Sequence, residues 1–166
     1  LATDEEGYYL SVFKVLKDRM PGLKTAYYYN WGNLINSINP KFLDEISFQE
    51  NDEYIENYQK ALNFAIDNKN DPSLIFLYTV HTDHAGHKYS WTSEEYIKSL
   101  EEADVEIGKL IDGLKSEGLY DDTHFILITD HGGKGKGHGG MTPIEMNVPW
   151  AVPGLEFKRA KCWKNP

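Results

Sequence analysis

The segment 124–140 constrains the fold of this chain most strongly, because a short apolar run leads there into acidic, histidine and glycine residues. The run 125–128 (Phe-Ile-Leu-Ile) predicts a buried strand. Asp130 and His131 follow directly, and a glycine-rich loop carrying His138 comes next. Carboxylate and imidazole groups at the end of a buried strand are metal-ligand types, in the position where α/β proteins place their sites.

A second apolar segment has the same organisation. Residues 73–82 form a nearly continuous apolar run, which is typical of a strand covered by helices on both faces. The pattern predicts a loop over residues 83–91, which carries Asp83 and His87 in the sequence Asp-His-Ala-Gly-His. Within one helical turn, side chains at this spacing share a face and can hold one ion.

The rest of the sequence alternates between helical and extended patterns. Helices are predicted over residues 4–19 (capped by Asp4), 33–38, from 51 or 52 to a closing segment at 68–72, and 93–116, where Thr92 and Glu95 form a capping box. Strands are predicted over residues 23–29, 73–82, 125–129 and 149–152. This order predicts a single α/β domain over residues 1–166, with a mostly parallel sheet and helices on both faces.

Parallel topology predicts that the two groups of polar residues meet. The carboxyl ends of parallel strands lie along one edge of the sheet, where ligands bind. The loops carrying Asp83 and Asp130 therefore belong on the same edge. Two carboxylates and three imidazoles are too many for one tetrahedral ion that keeps a position open, but they suit a pair of Zn²⁺ ions roughly 3.5–4 Å apart.

Composition excludes some classes of partner. The net charge of the 166 residues is −9, which argues against nucleic acid or an anionic membrane as the main partner. A phosphorylated substrate stays compatible, because bound divalent metals would invert the local charge. No apolar run approaches the length of a membrane span. Cys162 is the one cysteine, so no disulfide can form within the chain.

Several other residues are predicted to lie outside the metal site or to have a structural role. His81, His84 and His124 are predicted to be bystanders rather than ligands. Trp91 lies in a predicted loop near the active edge, where it either lines a pocket or anchors the loop. Residues 135–140 match the dinucleotide pattern GxGxxG only weakly, since no long amphipathic helix follows.

These motifs resemble the alkaline phosphatase superfamily, in particular its type I phosphodiesterase/nucleotide pyrophosphatase and sulfatase-like branch. The resemblance covers about residues 8–154. The segments that carry it are residues 83–87, 129–132, His138, 142–143 and 24–31.

The resemblance implies a specific division of the ligands. Asp83, His87 and His138 would hold one metal, and Asp130 and His131 would hold the other. The implied cofactors are two divalent ions, with Zn²⁺ favoured and Mn²⁺ or Ca²⁺ as alternatives.

The same resemblance implies that part of the site lies elsewhere. In the family, the second metal also takes an aspartate from the end of the first strand and contacts a threonine or serine nucleophile. Both are expected upstream of the region that corresponds to Tyr8. The chain would then be the C-terminal portion of a larger catalytic domain, incomplete at the N-terminus and with little or no turnover alone.

The implied function is hydrolysis of phosphate esters, with a small phosphate ester or nucleotide as substrate and no nucleic-acid polymer. A sulfatase or phosphomonoesterase of the same superfamily is the nearest alternative, and a non-catalytic metal-binding module is another. The resemblance favours a periplasmic or extracellular location. It leaves the oligomeric state open.

Overall fold

Three parallel strands form the central sheet. In the computed structural model, which describes residues 3–50 and 52–152, the middle strand is β1 (Lys24–Tyr29). It is flanked by β2 (Glu45–Phe48) and β3 (Ser73–Leu77), and both neighbours run parallel to it. The predicted α/β fold with a parallel sheet is confirmed, and β2 occupies a region where the sequence carried no clear pattern.

Helices connect and cover these strands. In chain order they are α1 (Val12–Arg19), α2 (Ile55–Asp67), α3 (His81–Tyr89), α4 (Glu94–Ser116) and the single turn α5 (Pro143–Met146). Short 3₁₀ segments occur at Gly32–Ser37, Pro40–Phe42 and Tyr120–Asp122. No helix in the described ranges is both long and apolar enough to cross a membrane. Asn51 and Cys162, which entered the sequence interpretation, lie outside the described residues.

Strand β1 builds the core on both of its faces. Successive side chains of a strand point in opposite directions, so alternate residues of β1 enter two apolar clusters. One cluster comprises Phe13, Tyr27, Tyr29 and Ile38. The other comprises Ala26, Tyr28, Ala61 and Phe64. Because α1 contributes to the first cluster and α2 to the second, the sheet has helices on both faces, as predicted.

Three predicted helix starts were wrong. Helix α2 begins at Ile55 rather than at residue 51 or 52. Helix α1 begins at Val12, where the Ser11 hydroxyl accepts the Lys14 N–H. Asp4 instead closes a turn, because its carboxylate accepts the backbone N–H groups of Glu6 and Tyr8. Helix α4 begins one residue later than predicted, at Glu94, and Ser93 rather than Thr92 caps it, by accepting the Tyr96 N–H.

The prediction of a buried strand over residues 125–129 was wrong in two respects. The strand does not join the parallel sheet, and its side chains are exposed. Only Leu127–Ile128 (β4) is extended, and it pairs antiparallel with β5 (Trp150–Ala151), apart from the parallel sheet. Ile126 is 71% exposed and Ile128 is 63% exposed. An apolar run reports the tendency of a segment to be buried, but it carries no information about which element covers it.

The predicted loop over residues 83–91 was also wrong. Strand β3 ends at Leu77, and the chain enters α3 at His81. The β-branched residues Thr79, Val80 and Thr82 made this region look extended from sequence. Packing of α3 against α4 overrides that local preference, and the Asn30 Oδ1 atom accepts the Val80 N–H at 2.8 Å where the helix begins.

Two glycines of α4 provide a test of how α2 and α4 pack. A Cβ atom at Gly108 would meet nothing within 4 Å, whereas one at Gly113 would lie 2.4 Å from Leu62 Cδ2. We expect Gly108→Ala to raise the free energy of unfolding by about 0.4–1 kcal/mol, because it restricts the unfolded chain. Gly113→Ala is expected to lower it by about 1–3 kcal/mol through overpacking.

Urea denaturation of the two variants and the wild type measures both values. Equal stabilisation by the two substitutions would show that α2 and α4 do not pack as closely as described.

Candidate metal centre

Helix α3 brings Asp83 and His87 onto one face. They are four residues apart in the helix, and the His87 Nε2 atom lies 3.6 Å from Asp83 Oδ2. The other ring nitrogen of His87, Nδ1, lies 2.9 Å from the Lys136 carbonyl oxygen. Because a carbonyl only accepts, Nδ1 carries the proton in this arrangement, and the Nε2 lone pair faces Asp83.

The glycine loop delivers His138 to the same carboxylate. The His138 Nε2 atom lies 3.6 Å from Asp83 Oδ1. The loop is narrowed by a backbone bridge between Lys134 and Gly137. At Gly139 the backbone φ angle is +97°, a left-handed conformation that glycine adopts without steric cost. A residue with a side chain at this position would strain the turn that follows the histidine.

Asp83 is the centre of the cluster and has the chemistry of a cation ligand. Its Oδ1 atom is buried and has no hydrogen-bond partner, which is costly unless a ligand supplies the missing interaction. Ligand atoms of Asp83, His87 and His138 all lie within 4.8 Å of one another. Two atoms that bind one tetrahedral ion at about 2.1 Å lie roughly 3.4 Å apart, so separations of 3.6 Å fit a shared divalent ion.

The second predicted pair, Asp130 and His131, lies beside this group. The His131 Nε2 atom is 3.7 Å from Asp83 Oδ1 and 3.8 Å from Asp130 Oδ2. The rings of His131 and His138 are stacked, with centroids 3.8 Å apart. The Asp130 side chain is 62% exposed. The structure therefore brings all five predicted ligands into one neighbourhood, with Asp130 at its open side.

Two of the remaining histidines interact with acidic residues away from this group. His81 Nε2 lies 3.1 Å from Glu102 Oε2, and the His84 ring pairs with the Asp52 carboxylate. Neither is among the residues whose ligand atoms converge on Asp83.

Trp91 anchors the glycine loop rather than lining an open pocket. Its side chain is 9% exposed, and its backbone N–H donates to the Gly135 carbonyl at 2.9 Å. The indole packs edge-on against two imidazole rings, with ring centroids 5.0 Å apart for His87 and 5.8 Å apart for His138. The sequence left the role of Trp91 open, because its contacts His87 and His138 lie before and after it in the chain and meet only in the folded protein.

Glu145 closes the other end of the loop and was not predicted. Its Oε1 atom accepts the Gly140 N–H at 2.9 Å, and its Oε2 atom accepts the Thr142 hydroxyl. Its backbone carbonyl accepts the Gly132 N–H at 2.8 Å. The pattern Thr-x-x-Glu at residues 142–145 is a capping-box signature that could have indicated this carboxylate.

Tyr78 is a further residue that the sequence did not single out. Burial raises the pKa of Tyr78 to about 12, and the nearby carboxylates of Asp130 and Asp83 raise it as well. The phenol therefore keeps its proton at neutral pH and can act as a hydrogen-bond donor beside the cluster.

The match to a known family decides the assignment. Residues 9–138 match the family described as type I phosphodiesterase / nucleotide pyrophosphatase. The chain belongs to this family. The resemblance of its motifs to the corresponding branch of the alkaline phosphatase superfamily is thereby confirmed.

Individual relatives agree with this assignment over shorter segments. Venom phosphodiesterase 2 of Crotalus adamanteus is 43% identical over 61 residues, which cover 37% of this chain and 8% of that protein. Human ectonucleotide pyrophosphatase/phosphodiesterase family member 1 is also 43% identical over 61 residues, which cover 37% of this chain and 7% of that protein. The matched segment thus spans less than a tenth of these relatives.

A solved structure of the family has a similar fold. It is murine ectonucleotide pyrophosphatase/phosphodiesterase 5, as an inactive threonine-to-alanine variant in complex with AMP. The two structures superpose with a TM-score of 0.57 at 21% sequence identity, over 74% of this chain and 32% of that one.

The pKa of Glu145 gives a pH test of the loop closure. Hydrogen bonds from the Thr142 hydroxyl and the Gly140 N–H hold the pKa of this carboxyl below its usual 4.5. Its stabilising contribution is therefore present above pH 4.5 and is lost as the pH falls through the lower, folded-state value. We expect the Gly140 amide to stay protected from hydrogen exchange at pH 4.5 and to lose protection at lower pH.

Glu145→Ala should remove the protection of the Gly140 amide at every pH. Hydrogen exchange followed by NMR measures it, with Glu117→Ala as the control on an exposed residue. Unchanged protection in Glu145→Ala would contradict the described closure.

Proposed function

We propose that this chain forms part of a metal-dependent phosphoesterase of the phosphodiesterase/nucleotide pyrophosphatase type. The observation that carries the proposal is the buried Oδ1 atom of Asp83, which lacks a hydrogen-bond partner and lies 3.6–3.7 Å from two imidazole nitrogens. A carboxylate in that setting is a poor hydrogen-bonding group and a good cation ligand.

Asp83, His87 and His138 would hold one divalent ion. One carboxylate and two neutral imidazoles are a ligand set suited to Zn²⁺ with a position left for substrate, and Mn²⁺ or Ca²⁺ are alternatives. The hydrogen bond from His87 Nδ1 to the Lys136 carbonyl supports this role, because it orients the ring and directs Nε2 at the ion.

Asp130 and His131 would contribute to a second ion beside the first. Two ligands do not complete a site, so we propose that a further aspartate and a threonine or serine nucleophile come from upstream of this region. The inactivity of the threonine-to-alanine variant of murine ectonucleotide pyrophosphatase/phosphodiesterase 5 is consistent with a hydroxyl nucleophile in the family. By itself, the present chain is then expected to have little turnover.

The residues of this chain would bind and orient the phosphoryl group of the substrate. Divalent ions at such a centre act as Lewis acids on phosphoryl oxygens. The Tyr78 phenol, which stays protonated, would donate a hydrogen bond next to the cluster. Burial of Trp91 on one side of the ligand rings keeps water from that side.

The proposed substrates are small phosphodiesters, such as nucleotides, rather than nucleic-acid polymers. The names of the venom phosphodiesterases and of the human nucleotide pyrophosphatase support a diester or pyrophosphate bond over a monoester or a sulfate ester. The net charge of −9 disfavours a polyanionic partner. By the same comparison we propose an extracellular location, since these relatives are a venom component and an ectoenzyme by name.

Removing the charge of Asp83 tests the proposed centre. We expect Asp83→Asn to weaken Zn²⁺ binding by more than about 100-fold, beyond the loss typical of outer-shell changes. Asp52→Asn is a matched control, because Asp52 also pairs with a histidine of α3 but lies outside the cluster.

Isothermal titration calorimetry gives the affinity and stoichiometry for each variant. Equal affinity of the two variants, or a wild-type chain that binds Zn²⁺ no better than Asp83→Asn, would overturn the proposal. Hydrolysis of p-nitrophenyl phosphate mono- and diesters by the longer protein that contains this segment would then identify the bond that is cleaved.

A further inference from the structure

The Trp91 indole lies between the two elements that carry the ligands of the first proposed ion. On one side is helix α3, which bears Asp83 and His87, and on the other is the loop that bears His138. The indole contacts both imidazole rings edge-on, at 5.0 Å for His87 and 5.8 Å for His138. Each of these contacts comes from a different segment of the chain, so the indole fixes the spacing between the segments.

Glycines make room for this indole on both sides. A Cβ atom at Gly86 in α3 would lie 2.6 Å from Trp91 Cε2, and a Cβ atom at Gly133 in the loop would lie 2.2 Å from the same ring. In contrast, a Cβ atom at Gly137 of the same loop would meet nothing within 4 Å. Both backbones therefore approach the indole so closely that neither position has room for a side chain.

We propose that Trp91 is a positioning residue of the metal centre. It acts as a spacer whose thickness sets the distance between α3 and the glycine loop, and hence whether the Nε2 atoms of His87 and His138 can reach one ion. This inference rests on the proposed function only in that Asp83, His87 and His138 must bind a metal. Trp91 itself touches neither metal nor substrate.

The side chain, rather than the backbone, is the part that would set this distance. The Trp91 N–H donates to the Gly135 carbonyl, and any replacement except proline keeps that bond. Substitution of the ring therefore removes the spacer and leaves the backbone link between the two segments. Edge-on contacts between aromatic rings also restrict the orientation of the histidines, which a smaller aliphatic side chain does not do.

Trp91→Leu tests the proposal, with Trp91→Phe as the conservative variant. We expect Trp91→Leu to weaken Zn²⁺ binding about 10–100-fold, as for other groups that orient metal ligands, and Trp91→Phe to restore part of that loss. Tyr9→Leu is the control, because Tyr9 is an aromatic residue that is 58% exposed and is not among the residues whose ligand atoms converge on Asp83. Calorimetry measures affinity, and urea denaturation without metal measures the stability of each variant.

A double-mutant cycle with Gly133 tests the spacing directly. Gly133→Ala should weaken Zn²⁺ binding in the wild type, because its Cβ would overlap the indole. In the Trp91→Leu background the same substitution should cost less, because the smaller side chain leaves room. Gly137→Ala is the matched control in the same loop. If Trp91→Leu alone does not fold, the same cycle is measured in the Trp91→Phe background, whose smaller ring also leaves room beside residue 133.

Co²⁺ spectra add a measurement that a purely structural role would not change. Trp91→Phe is expected to alter the visible absorption of the Co²⁺-loaded chain, since the ligand geometry changes, while Tyr9→Leu leaves it as in the wild type. If Trp91→Leu and Gly133→Ala both bind Zn²⁺ with wild-type affinity while Asp83→Asn does not, the spacer role is overturned and the metal centre stands. If the wild type and Asp83→Asn bind Zn²⁺ equally, both proposals fail.

Discussion

The convergence of imidazole nitrogens on the buried oxygen of Asp83 is the constraint on which the rest of the site depends. This oxygen has no hydrogen-bond partner, and leaving it so in a folded protein is unfavourable unless a cation completes it. Helix α3 supplies the carboxylate and one imidazole, and the glycine loop supplies the others. The distance between these two segments therefore decides whether the ligand atoms meet.

Three contacts from separate parts of the chain hold that distance. Asn30, at the end of β1, accepts the Val80 N–H where α3 begins, so the helix is tied to the parallel sheet. Glu145 closes the glycine loop from its C-terminal side. Trp91 fills the space between the helix and the loop, against Gly86 and Gly133.

Much of the fold was predictable because it follows from local patterns. The strand around Tyr27, the long helix α4 and the parallel α/β class agree with the structure, since alternation and helical periodicity report burial of a face directly. The errors fall where the conformation or burial of a segment depends on the element that packs against it. The apolar run ending at Ile128 is exposed, and the segment around Asp83 is helical although Thr79, Val80 and Thr82 before it are β-branched. Neither outcome is encoded within a window of local sequence.

The sequence by itself determined the chemistry of the site, because Asp83, His87, Asp130, His131 and His138 carry ligand atoms whatever their surroundings. Their spacing also identified the family, which the match over residues 9–138 confirms. Only the tertiary structure decided that these side chains meet through a helix and a loop rather than along one sheet edge. It also assigned roles to Trp91 and Glu145, because close packing and hydrogen-bond partners depend on residues that lie far apart in the chain.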